Sequence, residues 1–317
     1  MTPNLLISKK LPDSVLRAAA DRYDVTLRDT EASMTEVEVT TALGAYDAIL
    51  PTLGDQFTGD AIRACDALRC KVIANFGVGY NHIDAETAKA RGIAVSNTPG
   101  AVTDATADIA MTLILMTARR AGEGERLVRA GKWTGWQPTQ MLGLHVSGKT
   151  VGIIGMGRIG QAIAHRCRAG FGCKVVFANR STKVVNGALQ LASPEDVARI
   201  ADVVVVATPG GAQTRHLIDR NFLTAMQSHA ILVNISRGDV IDEAALVSAL
   251  QEGQLAGAGL DVYDEEPVVP QALIDMEHVT LLPHLGTAAL DVREGMGMMA
   301  LANVNAFFDG KQPPNLV

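Results

Sequence analysis

The chain has 317 residues, 48 % of them apolar and 20 % charged, with a formal net charge of −6. At roughly 150 residues per domain the length predicts two domains, and the composition excludes general disorder. The negative balance argues against a nucleic-acid partner. No stretch reaches the roughly 18 apolar residues of a membrane span; the longest candidate is Ile109–Ala118. Residues 1–10 show no apolar core followed by a small-residue cleavage site, so a cytoplasmic protein without a membrane partner is expected. Cys65, Cys70, Cys167 and Cys173 form neither a CxxC pair nor a dense framework, which predicts reduced thiols, and no metal site is expected.

Short β-like runs alternate with amphipathic stretches over the first hundred residues. Strands are expected at Leu5–Ile7, Val25–Leu27, Ala48–Leu50, Val72–Ala74 and Ile93–Ser96. Helices are expected at Asp13–Arg22, Thr35–Leu43, Gly59–Leu68 and Asp84–Arg91. Such alternation implies a parallel sheet covered on both faces. Thr98-Pro99-Gly100 then punctuates the chain, and a helix follows from about Thr103 to Ala121, with Thr103 or Asp104 as N-cap. Its apolar middle, Ile109–Met116, calls for burial between domains or in a subunit interface.

After a polar connection, residues 122–148, that carries Trp133 and Trp136, a second series begins. Its strands are expected at Thr150–Ile154, Val175–Ala178, Val203–Ala207, Ile231–Ile235, Gly257–Val262 and Val279–Leu282. Its helices are expected at Gly157–Ala169, Pro194–Arg199, Arg220–Met226 and Glu243–Glu252, with a last long helix from about Ala288 to Phe308.

Gly155-Met156-Gly157-Arg158-Ile159-Gly160 is a GxGxxG between a strand and a helix. Glycines there permit a tight turn and close backbone approach to a pyrophosphate, and the helix N-terminus offers unpaired N–H groups. A dinucleotide site for NAD usually has Asp or Glu after the second strand. Here that strand ends in Asn179-Arg180-Ser181-Thr182-Lys183, and ten Lys and Arg but no carboxylate occupy Arg126–Pro194. A guanidinium grips a 2′-phosphate bidentately, so Arg180, helped by Ser181 and Thr182, reads as its clamp. NADP(H) is expected, with NAD(H) and a merely solvated Arg180 as the alternative.

Arg237, Glu266 and His284 each follow a strand of the second series. Open α/β sheets bind ligands outside the carboxyl ends of their strands, so the three can converge. A cation, a carboxylate and an imidazole that can give or take a proton, beside the dinucleotide turn, make a coherent chemical set.

These motifs, with Asn75–Asp84, Asn97–Gly100, Thr103–Asp108, Asn234–Gly238, Gly259–Val262, Glu265–Pro267 and Pro283–Gly286, resemble the D-isomer-specific 2-hydroxyacid dehydrogenase family over essentially the whole chain. Thr103–Asp108 and Asn179–Ser181 resemble its glyoxylate/hydroxypyruvate reductase branch. The resemblance implies an α/β protein of two Rossmann-like or flavodoxin-like domains with parallel sheets and the active site in the cleft between them. Residues 1–97 plus 288–317 would form the discontinuous substrate domain, and residues 98–287 the dinucleotide domain. Arg237 would bind the substrate carboxylate and polarise the keto oxygen, and His284 would protonate that oxygen. Glu266 would pair with His284, a carboxylate beside an imidazole favouring its charged form; Glu265 is the rival for this role. The N–H groups of Val78 and Gly79 would hold the substrate carboxylate. Asp261 would bind the nicotinamide carboxamide and Thr106 would lie near the pyrophosphate. The cofactor set would be completed by Ala207, Thr208, Pro209, Ile235, Ser236, His284 and Gly286 beside Gly155, Gly157, Arg158, Ile159, Gly160 and Asn179. A small 2-keto or 2-hydroxy acid is the expected partner, and a homodimer the expected assembly, in which Trp136 either reaches the neighbouring active site or simply packs in the interface with Trp133.

The family offers rivals. Long phosphoglycerate dehydrogenases carry an added regulatory domain, formate dehydrogenases lack the Glu pairing, and nucleotide-sensing corepressors have long appended tails. The Arg237, Glu266, His284 set favours chemistry, with another 2-hydroxyacid specificity or a nucleotide-sensing role as alternatives.

Overall fold

A computed structural model describes residues 2–317. The chain divides into two compact units, one of residues up to Val102 with Thr287–Val317, the other Thr103–Gly286. In the first unit the order is β1 (Asn4–Ile7), α1 (Asp13–Ala20), β2 (Asp24–Leu27), α2 (Glu36–Ala45), β3 (Ala48–Leu50), α3 (Gly59–Arg63), β4 (Val72–Ala74), α4 (Ala85–Ala90) and β5 (Ala94–Ser96). All neighbouring strands are parallel, in the order β2-β1-β3-β4-β5, a flavodoxin-like sheet. One face buries Leu6, Ile49 and Ile73 with Leu43 and Ile62. The other buries Leu5, Ile7, Leu50 and Val72 against Val15 and against Ala300, Leu301 and Val304 of the carboxyl-terminal helix, Leu290–Phe308. Side chains of period two thus bury both sides of β1, β3 and β4, as a sheet covered by helices on both faces requires, while the edge strand β2 stays largely exposed.

The second unit opens with α5 (Thr103–Ala118) and α6 (Ala121–Arg129). It continues through β6 (Thr150–Ile154), α7 (Arg158–Phe171), β7 (Lys174–Ala178), β8 (Ala188–Gln190), α8 (Pro194–Ile200), β9 (Val203–Val206), α9 (Arg220–Ala225), β10 (Ile231–Asn234), α10 (Glu243–Gln251), β11 (Gly257–Leu260), α11 (Gln271–Ile274) and β12 (Val279–Leu281). The carboxyl-terminal helix is therefore α12. Seven parallel strands lie in the order β12-β11-β10-β9-β6-β7-β8, a Rossmann sheet with one strand added, whose order reverses between β6 and β9.

Several sequence expectations need correction. Thr103 and Asp104 lie inside α5 rather than at its N-cap. The buried face of α5, including Ala107, Ala110, Leu113 and Ile114, packs with Val151, Ile153 and Val233 in the core of its own unit, while Ile109, Leu115 and Met116 of its apolar middle are only half-buried. The run 122–148 is not all connection: α6 covers its start, though none of its residues is buried. Helix α3 stops at Arg63 instead of Leu68, because the Arg91 guanidinium takes the carbonyls of Ile62, Arg63 and Cys65. Strand β8 and the short 3-10 turn Gly238–Val240 are additions.

Candidate active site

The glycine turn leaves β6 and enters α7 with Gly157 as N-cap and no side-chain cap. Gly155 has φ +98°, and a Cβ there would lie 2.8 Å from the Ala207 carbonyl oxygen and the Thr208 nitrogen. At Gly160 a Cβ would run into the Gly155 carbonyl. By contrast, nothing lies within 4 Å of a Cβ at Gly157. So two glycines let the turn close on the chain, and the third faces open space before an uncapped helix of 14 residues, the arrangement a pyrophosphate needs. Thr208 adds a buried hydroxyl without a partner among the described residues. These features fit a dinucleotide: Arg158, Ile159 and Gly160 offer first-turn amides, and Ala207, Thr208 and Pro209 follow the adjacent β9.

At the end of β7, Asn179 joins the turn to the next loop. Its Oδ1 accepts the Met156 amide at 3.1 Å, and its Nδ2 donates to the Ser181 carbonyl at 2.9 Å and hydroxyl at 3.1 Å. One side chain from β8 then shapes that loop. The Gln190 carboxamide accepts from the Lys183 amide at 2.8 Å and donates to the Asn179 and Ser181 carbonyls at 3.1 and 3.2 Å. Arg180, Ser181 and Thr182 are exposed; the Arg180 guanidinium donates to the Gln213 side chain. Lys183 reaches back to the Met156 carbonyl at 3.0 Å.

The three candidate catalytic side chains follow neighbouring strands. Arg237 leaves β10 through a turn in which Asn234 Nδ2 donates to the Arg237 carbonyl at 2.9 Å and Asn234 Oδ1 accepts the Ser236 amide at 3.0 Å. Ser236 Oγ donates to the Thr208 carbonyl, tying this turn to the one after β9; Ile235 is buried. The guanidinium donates from Nη1 to the Ser236 carbonyl at 2.7 Å, while buried Nε finds no acceptor among the described residues. Burial pulls the Arg237 pKa down, against the charges of Glu266 and Asp239. A cation held with an N–H unspent is suited to an anionic ligand.

Past β11 the buried Asp261 carboxylate accepts the amides of Leu285 at 2.6 Å and Gly286 at 2.9 Å, and Thr106 Oγ1 donates to the Gly286 carbonyl at 3.2 Å. Burial raises the Asp261 pKa above its ordinary value, with these two amides acting in opposition. Both carboxylate oxygens already organise the β12 loop, leaving only their second lone pairs for a carboxamide. His284 sits on that loop at φ +53°, a left-handed conformation few non-glycine residues adopt, and its amide donates to the Asp261 carbonyl at 2.9 Å. Its Nδ1 lies 2.8 Å from Glu266 Oε2. Burial works to raise the Glu266 pKa, but the hydrogen bond and charge of His284, the Tyr263 amide and the charge of Arg237 hold it below the usual carboxyl value. No bond links Glu265 to His284, and Glu265 is exposed.

Val78 and Gly79 belong to the first unit, on the loop after β4. Val78 is 36 % exposed, and neither amide donates to an acceptor among the described residues. Sequence reading singled out neither Asn234, Tyr263, Gln190 nor Gln213 as functional. Only the Asn234–Gly238 motif carried a signal for any of them.

A glycine turn at a Rossmann switch point, with an Arg and a Glu-paired His beyond neighbouring strands, defines a nicotinamide-dependent oxidoreductase. Residues 111–286 match the family model for the D-isomer specific 2-hydroxyacid dehydrogenase, NAD binding domain. The glyoxylate reductase of Thermococcus kodakarensis is 41 % identical over 100 % of this chain and 96 % of its own length, and that of Pyrococcus horikoshii is 41 % identical with the same coverage. The crystal structure of the NADPH-dependent glyoxylate/hydroxypyruvate reductase of Sinorhizobium meliloti, in complex with NADP and malonate, superposes with a TM-score of 0.90 at 34 % identity. That match covers 100 % of this chain and 97 % of the other. The chain belongs to the D-isomer specific 2-hydroxyacid dehydrogenase family and resembles its glyoxylate reductases. It is an NAD(P)-dependent oxidoreductase of that family.

Proposed function

We propose that the protein reduces glyoxylate and hydroxypyruvate to 2-hydroxy acids of D configuration, using NADPH. The observation that carries this reading is the His284–Glu266 pair at 2.8 Å together with Arg237, whose buried Nε–H is unspent among the described residues. Arg237 would take the substrate carboxylate and draw electron density from the keto oxygen; the Val78 and Gly79 amides, which find no acceptor among the described residues, would provide the second grip. His284, with Nδ1 committed to Glu266, keeps Nε2 to give a proton to that oxygen, and takes it back in the reverse direction. The Glu266 carboxylate fixes the orientation of the ring. The dinucleotide would be held by the turn at Gly155, Gly157 and Gly160, the amides of Arg158 and Ile159, and the loops at Thr208, Ser236, Asp261 and Gly286. When bound, the reduced nicotinamide supplies the hydride.

NADPH is favoured by Arg180, exposed beyond β7 on a loop without a carboxylate and shaped by Gln190. A homodimer formed through the second unit is part of the proposal. It is supported by Trp133 and Trp136, 54 % and 80 % exposed, and by the exposed Leu142 on the same segment. Trp136 would then meet the neighbouring subunit. The testing experiment is the initial rate of cofactor oxidation, NADPH against NADH, with glyoxylate, hydroxypyruvate and pyruvate. Fast turnover of either of the first two acids with NADPH is expected. Turnover with NADH alone overturns the cofactor choice, and no turnover with any acid overturns the reaction.

A further inference from the structure

In the loop after β4 the carbonyls of Gly77, Val78 and Gly79 are all spent, whereas of the same three amides only that of Gly77 is, donating to the Asn75 carbonyl at 3.0 Å. Asn75 is buried, and its Nδ2 donates to both the Gly77 and the Gly79 carbonyls at 3.0 Å. The Gly77 carbonyl also accepts the Thr98 amide at 3.1 Å. Asn97, beyond the end of β5, donates from Nδ2 to the Val78 carbonyl at 2.8 Å. Three consecutive carbonyls, Gly77 to Gly79, are therefore each tied to an asparagine carboxamide, while the Val78 and Gly79 amides find no acceptor among the described residues. Every peptide unit carries one donor and one acceptor, so such a bias has to be imposed from outside the loop. A row of free amides makes a concavity that attracts anions without a formal charge.

We infer that Asn75 and Asn97 are positioning residues that convert the Gly77–Gly79 backbone into a carboxylate-selective nest. They touch no substrate: each neutralises carbonyl oxygens that would otherwise compete with and repel the anion. This rests on the reading of the Val78 and Gly79 amides as substrate ligands, and its consequence is selection of charge rather than of side-chain shape. The loop should discriminate a 2-keto acid from the corresponding neutral 2-keto amide.

The test compares Asn75→Ala, Asn97→Ala and Asn97→Asp with Gly79→Pro, which deletes one of the amides itself. For each, KM is measured for pyruvate, for pyruvamide and for NADPH, with oxamate as competing anion. Each asparagine variant should raise KM for pyruvate and the inhibition constant of oxamate about tenfold, the scale of a lost charge-assisted hydrogen bond. Asn97→Asp should exceed Asn97→Ala, because a carboxylate neither donates to the Val78 carbonyl nor tolerates a second anion. KM for pyruvamide and NADPH should stay within about twofold. Asn97 is only partly buried, so its variants keep the test open where Asn75→Ala fails to fold. Equal loss for acid and amide, or no loss for either, overturns the inference. Gly79→Pro separates the two levels: if it raises KM for pyruvate while the asparagine variants do not, the inference falls and the amide reading stands. If Gly79→Pro itself leaves KM for pyruvate unchanged, both fall.

Discussion

The Nδ1 atom of His284 lies 2.8 Å from Glu266 Oε2, while Glu266 Oε1 accepts the Tyr263 amide at 3.1 Å. The carboxylate is thus held on one side by the backbone and spends its other oxygen on the imidazole. Glu266→Gln keeps an oxygen for one of these bonds but loses the charge, and should lower kcat by about 10²-fold with little change in KM for NADPH, as expected for loss of general acid–base support. The Glu266 pKa is below its ordinary value in the folded chain. Its stabilising contribution is therefore complete above the unfolded carboxyl range and fades as pH falls through the lowered folded value. Melting curves of wild type and variant should accordingly converge on acidification. An unchanged kcat in Glu266→Gln would remove the pair from the mechanism.

On the NADPH reading, Arg180 would supply the charge that selects the cofactor and Gln190 the scaffold of its loop. Arg180→Asp should lower the NADPH-to-NADH ratio of kcat/KM by about 10²-fold, the value of one or two hydrogen bonds to a charged group. Gln190→Leu removes three bonds that close the Asn179–Lys183 loop and should lower the same ratio about tenfold, with KM for the keto acid unmoved. A ratio that stays constant in Arg180→Asp would mean the guanidinium does no more than bond Gln213.

The parts of this molecule that were legible in the sequence are those whose burial leaves a pattern. The runs at β6, β9 and β10 are apolar because both faces of each strand are covered, and the glycine turn is legible because strand and helix flank it. Strand β8 was not, because its three residues form a sheet edge with Leu189 exposed. Helix α6 buries nothing and contains Gly122 and Gly124, so no core pattern marks it. At the site, Arg237, Glu266 and His284 are legible from their places after strands. The residues that aim them are not: Asn234 and Tyr263 act through backbone atoms of their own or neighbouring loops, which sequence spacing does not reveal. The left-handed backbone of His284 is likewise set by the Asp261 carbonyl and not by local propensity.

A second acid–base pair sits at the opposite, amino-terminal ends of the strands. Asp202, just before β9, accepts the Thr150 amide at 2.8 Å on one oxygen and lies 2.8 Å from His229 Nε2 with the other. Burial pushes the Asp202 pKa up, but the Thr150 amide and His229 outweigh it and hold it below the ordinary value. Asp202→Asn should cost roughly 1–2 kcal/mol at neutral pH. That cost should vanish as pH falls through the lowered carboxyl value, since a depressed carboxyl stabilises only where it is ionised. Far from the ligand end of the sheet, the variant should keep kcat. Urea melts at several pH values check the first point and steady-state rates the second; a pH-independent cost would show that the bond geometry, not the charge, matters.

Two glycines of the second unit should respond to the same substitution with opposite sign. A Cβ at Gly238, directly after Arg237, would fall within the backbone carbonyl of Tyr263. The two loops that carry Arg237 and Glu266 pack backbone to backbone there, and neither can yield as a flexible side chain would. Gly238→Ala should cost about 3 kcal/mol or more and impair kcat through both side chains. Gly170 lies exposed inside α7, and a Cβ there meets nothing within 4 Å. Gly170→Ala restricts the unfolded chain without a clash and should stabilise by roughly 0.5–1 kcal/mol at unchanged kcat. Thermal melts with parallel assays decide the matter: a tolerated alanine at Gly238 would mean that the Arg237 and Tyr263 turns can separate, and that the close packing is not what sets the geometry of the site.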